Sequence, residues 1–84
     1  MDRKQVYELI DGERNYQDEL WGNDKHSLEE WLTYIQAYIA DAQHILTRES
    51  KGTDVTERVM ANFRKIAAMS VVAMEQHDTP PRKL

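Results

Sequence analysis

The sequence predicts an all-α protein, a three-helix antiparallel bundle completed by oligomerisation. Three observations carry this. Apolar residues recur at helical spacing in three successive segments, with no alternating strand pattern anywhere. Capping signals and Gly or Pro residues punctuate those segments. At 84 residues without cysteine, the chain lies near the lower limit for an autonomous core and has no disulfide or thiolate metal site to reinforce it.

The expected layout is one helical domain, residues 1–84, with helices over 2–21, 27–48 and 54–77 and an extended tail over 78–84. Asp2 is the N-cap expected for the first helix. Val6, Ile10, Gln17 and Trp21 fall on one side of it, flanked by Leu9, Tyr16 and Leu20, and Asp11-Gly12 is a place where it can kink. The second helix has the clearest start. Ser27 with Glu30 forms a capping box ahead of a stripe of Leu28, Trp31, Leu32, Ile35, Ile39, Ala42 and Leu46. Residues 49–52 read as a loop. The third helix starts at Thr53 or Asp54, with Glu57 completing a second box-like pattern. Its stripe is Val55, Val59, Met60, Phe63, Ile66, Ala67, Ser70 and Met74. Residues 66–74 are apolar or small almost all round, so a homo-oligomer contact is expected on the Ala68 and Val72 side. Pro80-Pro81 follows the end of this helix.

Charge narrows the functional classes. Residues 1–47 hold ten acids and four bases, a net −6; residues 48–84 hold five acids and seven bases, a net +2. The basic half is too dilute for a nucleic-acid surface. The longest apolar run, residues 66–74, is about half of what spanning a bilayer needs. Met1-Asp2-Arg3-Lys4 is not followed by an apolar leader. A cytoplasmic protein without a membrane partner is the expectation.

The candidate site is the polar face of the second helix, where Glu30, Tyr34, Asp41, His44 and Arg48 line up. As a ligand surface, Tyr34 offers a stacking ring, as does Trp31 nearby. His44 and Arg48 offer contacts to phosphate, and Asp41 accepts donors. Arg64 and Lys65 of the third helix add cations that a subunit contact can bring to the same ligand. The same face also reads as a solvated surface with neighbour pairs Asp41–His44 and His44–Arg48. Metal chemistry is the competing reading. Mg²⁺ wants several hard oxygens, and this chain has no Glu-x-x-Glu, only Glu8–Asp11 and Glu75–Asp78 at Glu-x-x-Asp spacing. No nucleophile with an adjacent base and no Gly-rich phosphate loop is present.

The runs Glu13-Arg14-Asn15-Tyr16-Gln17-Asp18, Trp21-Gly22, His26-Ser27, Glu30-Trp31-Leu32 and Met74-Glu75-Gln76-His77 resemble a group of small bacteriophage proteins, over residues 13–77. More remotely, the acidic second helix followed by a small-residue-rich third helix is similar to MazG-type all-α nucleoside triphosphate pyrophosphohydrolases. That resemblance implies a helical oligomer holding Mg²⁺ by Glu-x-x-Glu on one helix and Glu-x-x-Asp on the next. This chain departs from it, with Gln36 and Tyr38 where further acids would serve and Asn62-Phe63-Arg64-Lys65 before Ala67.

The expected function is therefore a non-catalytic, phage-type helical oligomer that binds, and can sequester, a nucleotide or other phosphorylated small molecule in the host cytoplasm. Its site is drawn from Tyr34, Asp41, His44, Arg48, Arg64 and Lys65, and it needs no cofactor. One alternative is a Mg²⁺-dependent pyrophosphohydrolase using Glu30, Asp41 and Glu75. The other is a small inhibitor or adaptor that meets a host protein through its acidic first half.

Overall fold

The computed structural model describes residues 1–22, 24–48 and 54–83. They form three helices, α1 (Arg3–Trp21), α2 (Leu28–Arg48) and α3 (Val55–His77), and no strand is present among them. The all-α three-helix bundle is as the sequence predicts, and each helix starts one residue inside the expected bounds because the first residue of each expected range is its cap.

Asp2 caps α1: its Oδ1 accepts the Gln5 backbone N–H, and Gln5 Oε1 accepts that of Asp2, both at 2.8 Å. The helix runs through Asp11-Gly12 undivided. Gly12 sits in open space with its i→i−4 ladder intact, and one exposed glycine weakens a helix without ending it. α1 ends at Gly22, whose φ of 66° and ψ of −146° suit only a residue without Cβ. The Ser27–Glu30 capping box of α2 is formed, with Glu30 Oε1 accepting from Ser27 N at 2.9 Å and Ser27 Oγ accepting from Glu30 N at 3.1 Å. Asp54 sits at the start of α3 with helical backbone angles and makes no side-chain cap bond, so the second box with Glu57 does not form there. Thr53 and the loop 49–52 lie outside the described residues.

Accepting from the Ser27 backbone and then from its side chain, with His26 beside it, holds the Glu30 carboxyl below the usual carboxylate range. A carboxyl whose pKa is lower folded than unfolded stabilises the fold above its unfolded pKa and loses that contribution as pH falls through its folded pKa. The start of α2 should therefore loosen in acid, from about pH 4 downward. Circular-dichroism melts across pH 2–6 should show this. Glu30→Gln, which keeps the reciprocal cap but cannot titrate, should flatten that part of the profile. An unchanged acid profile in the variant would refute the assignment.

α3 is the central element. It packs against α2 along one side and α1 along another, while α1 and α2 make no close backbone approach to each other. The α2–α3 pair is antiparallel: Trp31 meets Gln76 at one end, and Tyr38 meets Asn62 further along. Its seam is Trp31, Ile35, Tyr38, Ala42 and Ile45 against Val55, Val59, Asn62, Ile66, Met69 and Ala73, all buried or half-buried. That differs from the expected stripes. Leu28, Leu32, Ile39 and Leu46 of α2, and Met60, Phe63 and Met74 of α3, are exposed. The reason is Asn62. It is 3% exposed, and its Nδ2 donates to the Tyr38 carbonyl at 3.0 Å and to Asp41 Oδ2 at 2.8 Å. Apolar periodicity counts it as polar and so rotates the expected seam away from it.

The Ala68 and Val72 side of α3, expected as a subunit contact, is largely covered within the single chain. Ala68 is 0% exposed and Val72 is half-buried within the single chain, because α1 lies over them. Their small volume lets α1 approach closely. Gln17, 3% exposed, reaches the Lys65 carbonyl there. Two ion pairs fasten the same contact, Arg64 to Glu13 at 2.6 Å and Arg14 to Glu75 at 3.2 Å. Residues 1–9 are exposed throughout, so the first half of α1 overhangs the bundle with Val6, Tyr7 and Leu9 uncovered. Residues 78–83 have no regular structure. No helix of the described residues is long and apolar enough to cross a membrane.

Candidate functional site: an aromatic cavity between α1 and α2

Because α1 and α2 both rest on α3 without meeting, a gap remains between them. It is a cavity of about 510 Å³. α1 supplies Arg14, Gln17, Asp18 and Trp21; the connection after it supplies Gly22, Asp24 and His26. α2 supplies Trp31, Tyr34, Ala37 and Tyr38, and Met69 and Val72 of α3 form the floor. The volume lies within the usual range for small-molecule sites, and the wall combines apolar and aromatic side chains with several polar ones.

The aromatic wall is built edge to face. His26 meets Trp31 at 4.9 Å and Tyr34 at 5.2 Å, and Trp31 meets Tyr34 at 6.0 Å between centroids, all near perpendicular. Gln76 fixes it from behind. Its Oε1 accepts from Trp31 Nε1 at 2.9 Å and from His26 N at 3.2 Å, while its Nε2 donates to the Asp24 carbonyl at 2.9 Å. His77 Nε2 lies 2.9 Å from the His26 carbonyl, so its place at the helix end is set by a direct contact as well as by the helix dipole. One amide and one imidazole at the end of α3 thus hold the α1–α2 connection over the cavity.

Two polar groups of α1 define the chemistry of the other wall. The Arg14 guanidinium is bonded to Asp18 and to Glu75. Desolvation is the largest influence on it and opposes its charge, but the bonds to both carboxylates outweigh that and hold its pKa above the ordinary value. Gln17 is the second. Its Nε2 donates to the Lys65 carbonyl at 3.3 Å, and its Oε1 is buried with no hydrogen-bond partner. An unpaired buried carbonyl oxygen costs about 1–3 kcal/mol. A smaller polar recess adjoins the cavity past Arg14, lined also by Lys25, Glu75 and Gln76.

Of the residues expected from the sequence, Tyr34 is in the cavity wall, and Trp31 stands beside it. The other five do not converge there. Asp41 accepts from Asn62, Arg64 pairs with Glu13, and Lys65 lies over the Tyr38 ring at 5.5 Å. His44 and Arg48 are exposed on α2 beyond the cavity. Nor do Glu30, Asp41 and Glu75 form a metal set. Glu30 and Asp41 are ~16 Å apart along α2 at 1.5 Å per residue, and Glu75 is engaged with Arg14. Among the described residues no group of three His, Cys, Asp or Glu side chains is placed to hold a metal ion. Arg14, Gln17, Trp21 and His26 were missed because they come from α1 and its connection, 45 to 61 residues from their α3 partners, and no local spacing relates them.

The protein is an all-α three-helix bundle with a cavity that aromatic side chains help to line. No protein-family profile, curated protein or solved structure matches the chain.

Proposed function

We propose that this is a non-catalytic small-molecule-binding protein, and that its ligand is a planar heteroaromatic group bearing an N–H donor, as a nucleobase does. The observation that carries this is the aromatic set Trp21, Trp31, Tyr34 and Tyr38 in the cavity wall, with Gln17, whose Oε1 is buried and unpaired, among the polar residues that line it. Rings stack a planar ligand with little sequence or substituent preference, and the amide oxygen supplies direction. The charges at the mouth argue against phosphate as the main determinant: Arg14 and Lys25 face Asp18, Asp24 and Glu75, a net −1. A nucleotide would enter by its base and leave its phosphates outside. The bacteriophage resemblance extends this reading to sequestration of such a ligand in the host cytoplasm.

Isothermal titration against a panel of bases, nucleosides and nucleoside triphosphates tests it. A nucleoside should bind at least as tightly as its triphosphate, with tryptophan fluorescence changing on binding. Tighter binding of every triphosphate than of its nucleoside, or no binding by any heteroaromatic compound, would overturn the reading.

A further inference from the structure

The side of the α2–α3 pair facing away from α1 carries two uncharged, mainly apolar rows, half-buried at Ile35, Ala42, Ala67 and Ser70 and exposed at their other positions. On α2 the row is Leu28, Leu32, Ile35, Ile39, Ala42 and Leu46; on α3 it is Thr56, Met60, Phe63, Ala67, Ser70 and Met74. Both repeat at intervals of four, three, four, three and four. That is the 3.5-residue repeat by which one helix packs knobs-into-holes on another. Leu32 is 60% and Phe63 is 58% exposed. On each helix the row lies across from the residues that meet α1 or line the cavity, so the two rows face the same way. Neither contains a charged residue.

We infer that this face is the docking surface for a second copy of the chain, two α2–α3 pairs closing into a four-helix bundle. The repeat selects helices as the occupant. An isologous contact sets a surface against itself, so any charge in it would meet its like; a face without charges escapes that penalty although the chain carries −4 overall. The area also fits. The accessible surface of 6886 Å² exceeds by about 1,700 Å² what a compact monomer of this mass exposes. The radius of gyration of 14.3 Å exceeds the ~12 Å expected for the length. The extended tail and the overhanging first half of α1 contribute part of that excess, and a standard interface needs only ~800 Å² per partner. The cavity and Gln17 lie on the opposite side, so the dimer and the ligand site stand or fall separately.

Light scattering on the full chain should give a mass twice 9.9 kDa at micromolar concentration. Phe63→Glu and Ile39→Lys should each shift it to the monomer while retaining helical circular dichroism, and the two variants mixed should regain the dimer. If either variant fails to fold, a spin label on Ala67→Cys (the chain has no other cysteine) should still show dipolar coupling between two copies. A concentration-independent 9.9 kDa species overturns the inference. So does an absence of dipolar coupling, or a dimer that survives Phe63→Glu and is lost in Leu9→Glu on the overhanging face of α1.

Discussion

Trp31→Ala should unfold this protein more effectively than any other single truncation of α2. Trp31 is 6% exposed and joins three things that nothing else connects. Its ring packs in the α2–α3 seam, its edge contacts order His26 and Tyr34, and its Nε1–H is bonded to Gln76. Truncating a buried tryptophan costs about 3–5 kcal/mol through lost transfer energy and the cavity left behind. A domain of this length has about 4–13 kcal/mol in total. At about 4–8 °C per kcal/mol, the melting temperature should fall by roughly 15 °C or more. Trp31→Phe separates the ring from its hydrogen bond. Most of the volume remains, and Gln76 Oε1 keeps the His26 backbone N–H at 3.2 Å, so the loss should be nearer to about 1 kcal/mol. Thermal melts of both variants measure this. A fall of less than about 5 °C for Trp31→Ala would show that the seam does not depend on this residue.

The same residue shows what the sequence makes legible. Signals confined to one turn translate directly at two helices, where Asp2 caps α1 and Ser27 with Glu30 caps α2, because a cap needs only residues three apart; at α3 Asp54 makes no such bond. The apolar rows translate as rows but not as the core. α2 and α3 each carry apolar residues over more than one face, and their periodicity alone cannot say which face meets the neighbour. Asn62 and Gln17 decide it, and both are polar. Asn62 turns inward because the Tyr38 carbonyl and Asp41 satisfy both of its amide hydrogens. Once it does, Leu32 and Ile39 are left outside and Tyr38 and Ile45 move in. The cavity is less legible still. His26, Trp31 and Tyr34 are neighbours in sequence, but Gln76 determines their geometry and Arg14 stands on the opposite wall. The polar face of α2 holds one residue of the site, Tyr34, at its edge; the rest of that face is ordinary solvated or paired surface.

Gln17 yields the sharpest functional expectation, because stability and binding should move in opposite directions. In the free chain its Oε1 is buried and unpaired, a burden of about 1–3 kcal/mol, and its one bond to the Lys65 carbonyl is long at 3.3 Å. Lys65 O, inside α3, has a helical partner of its own. Leucine matches the shape of the glutamine stem and removes the orphan. Gln17→Leu should therefore stabilise the free protein by about 1 kcal/mol, raising the melting temperature by about 4–8 °C. Affinity for a heteroaromatic ligand that donates to Oε1 should fall at least tenfold, since about 1.4 kcal/mol of lost hydrogen bonding is a factor of ten. Gln17→Glu keeps an acceptor at the same place and should retain binding better than leucine does, although burying its charge lowers stability. Paired thermal melts and titrations on the three forms give the answer. A glutamine that only held α1 to α3 would lose stability on conversion to leucine and leave ligand affinity untouched, and that pattern would remove Gln17 from the site. A gain in stability with a loss of binding has no such explanation: it means the chain carries an unsatisfied group whose partner arrives with the ligand.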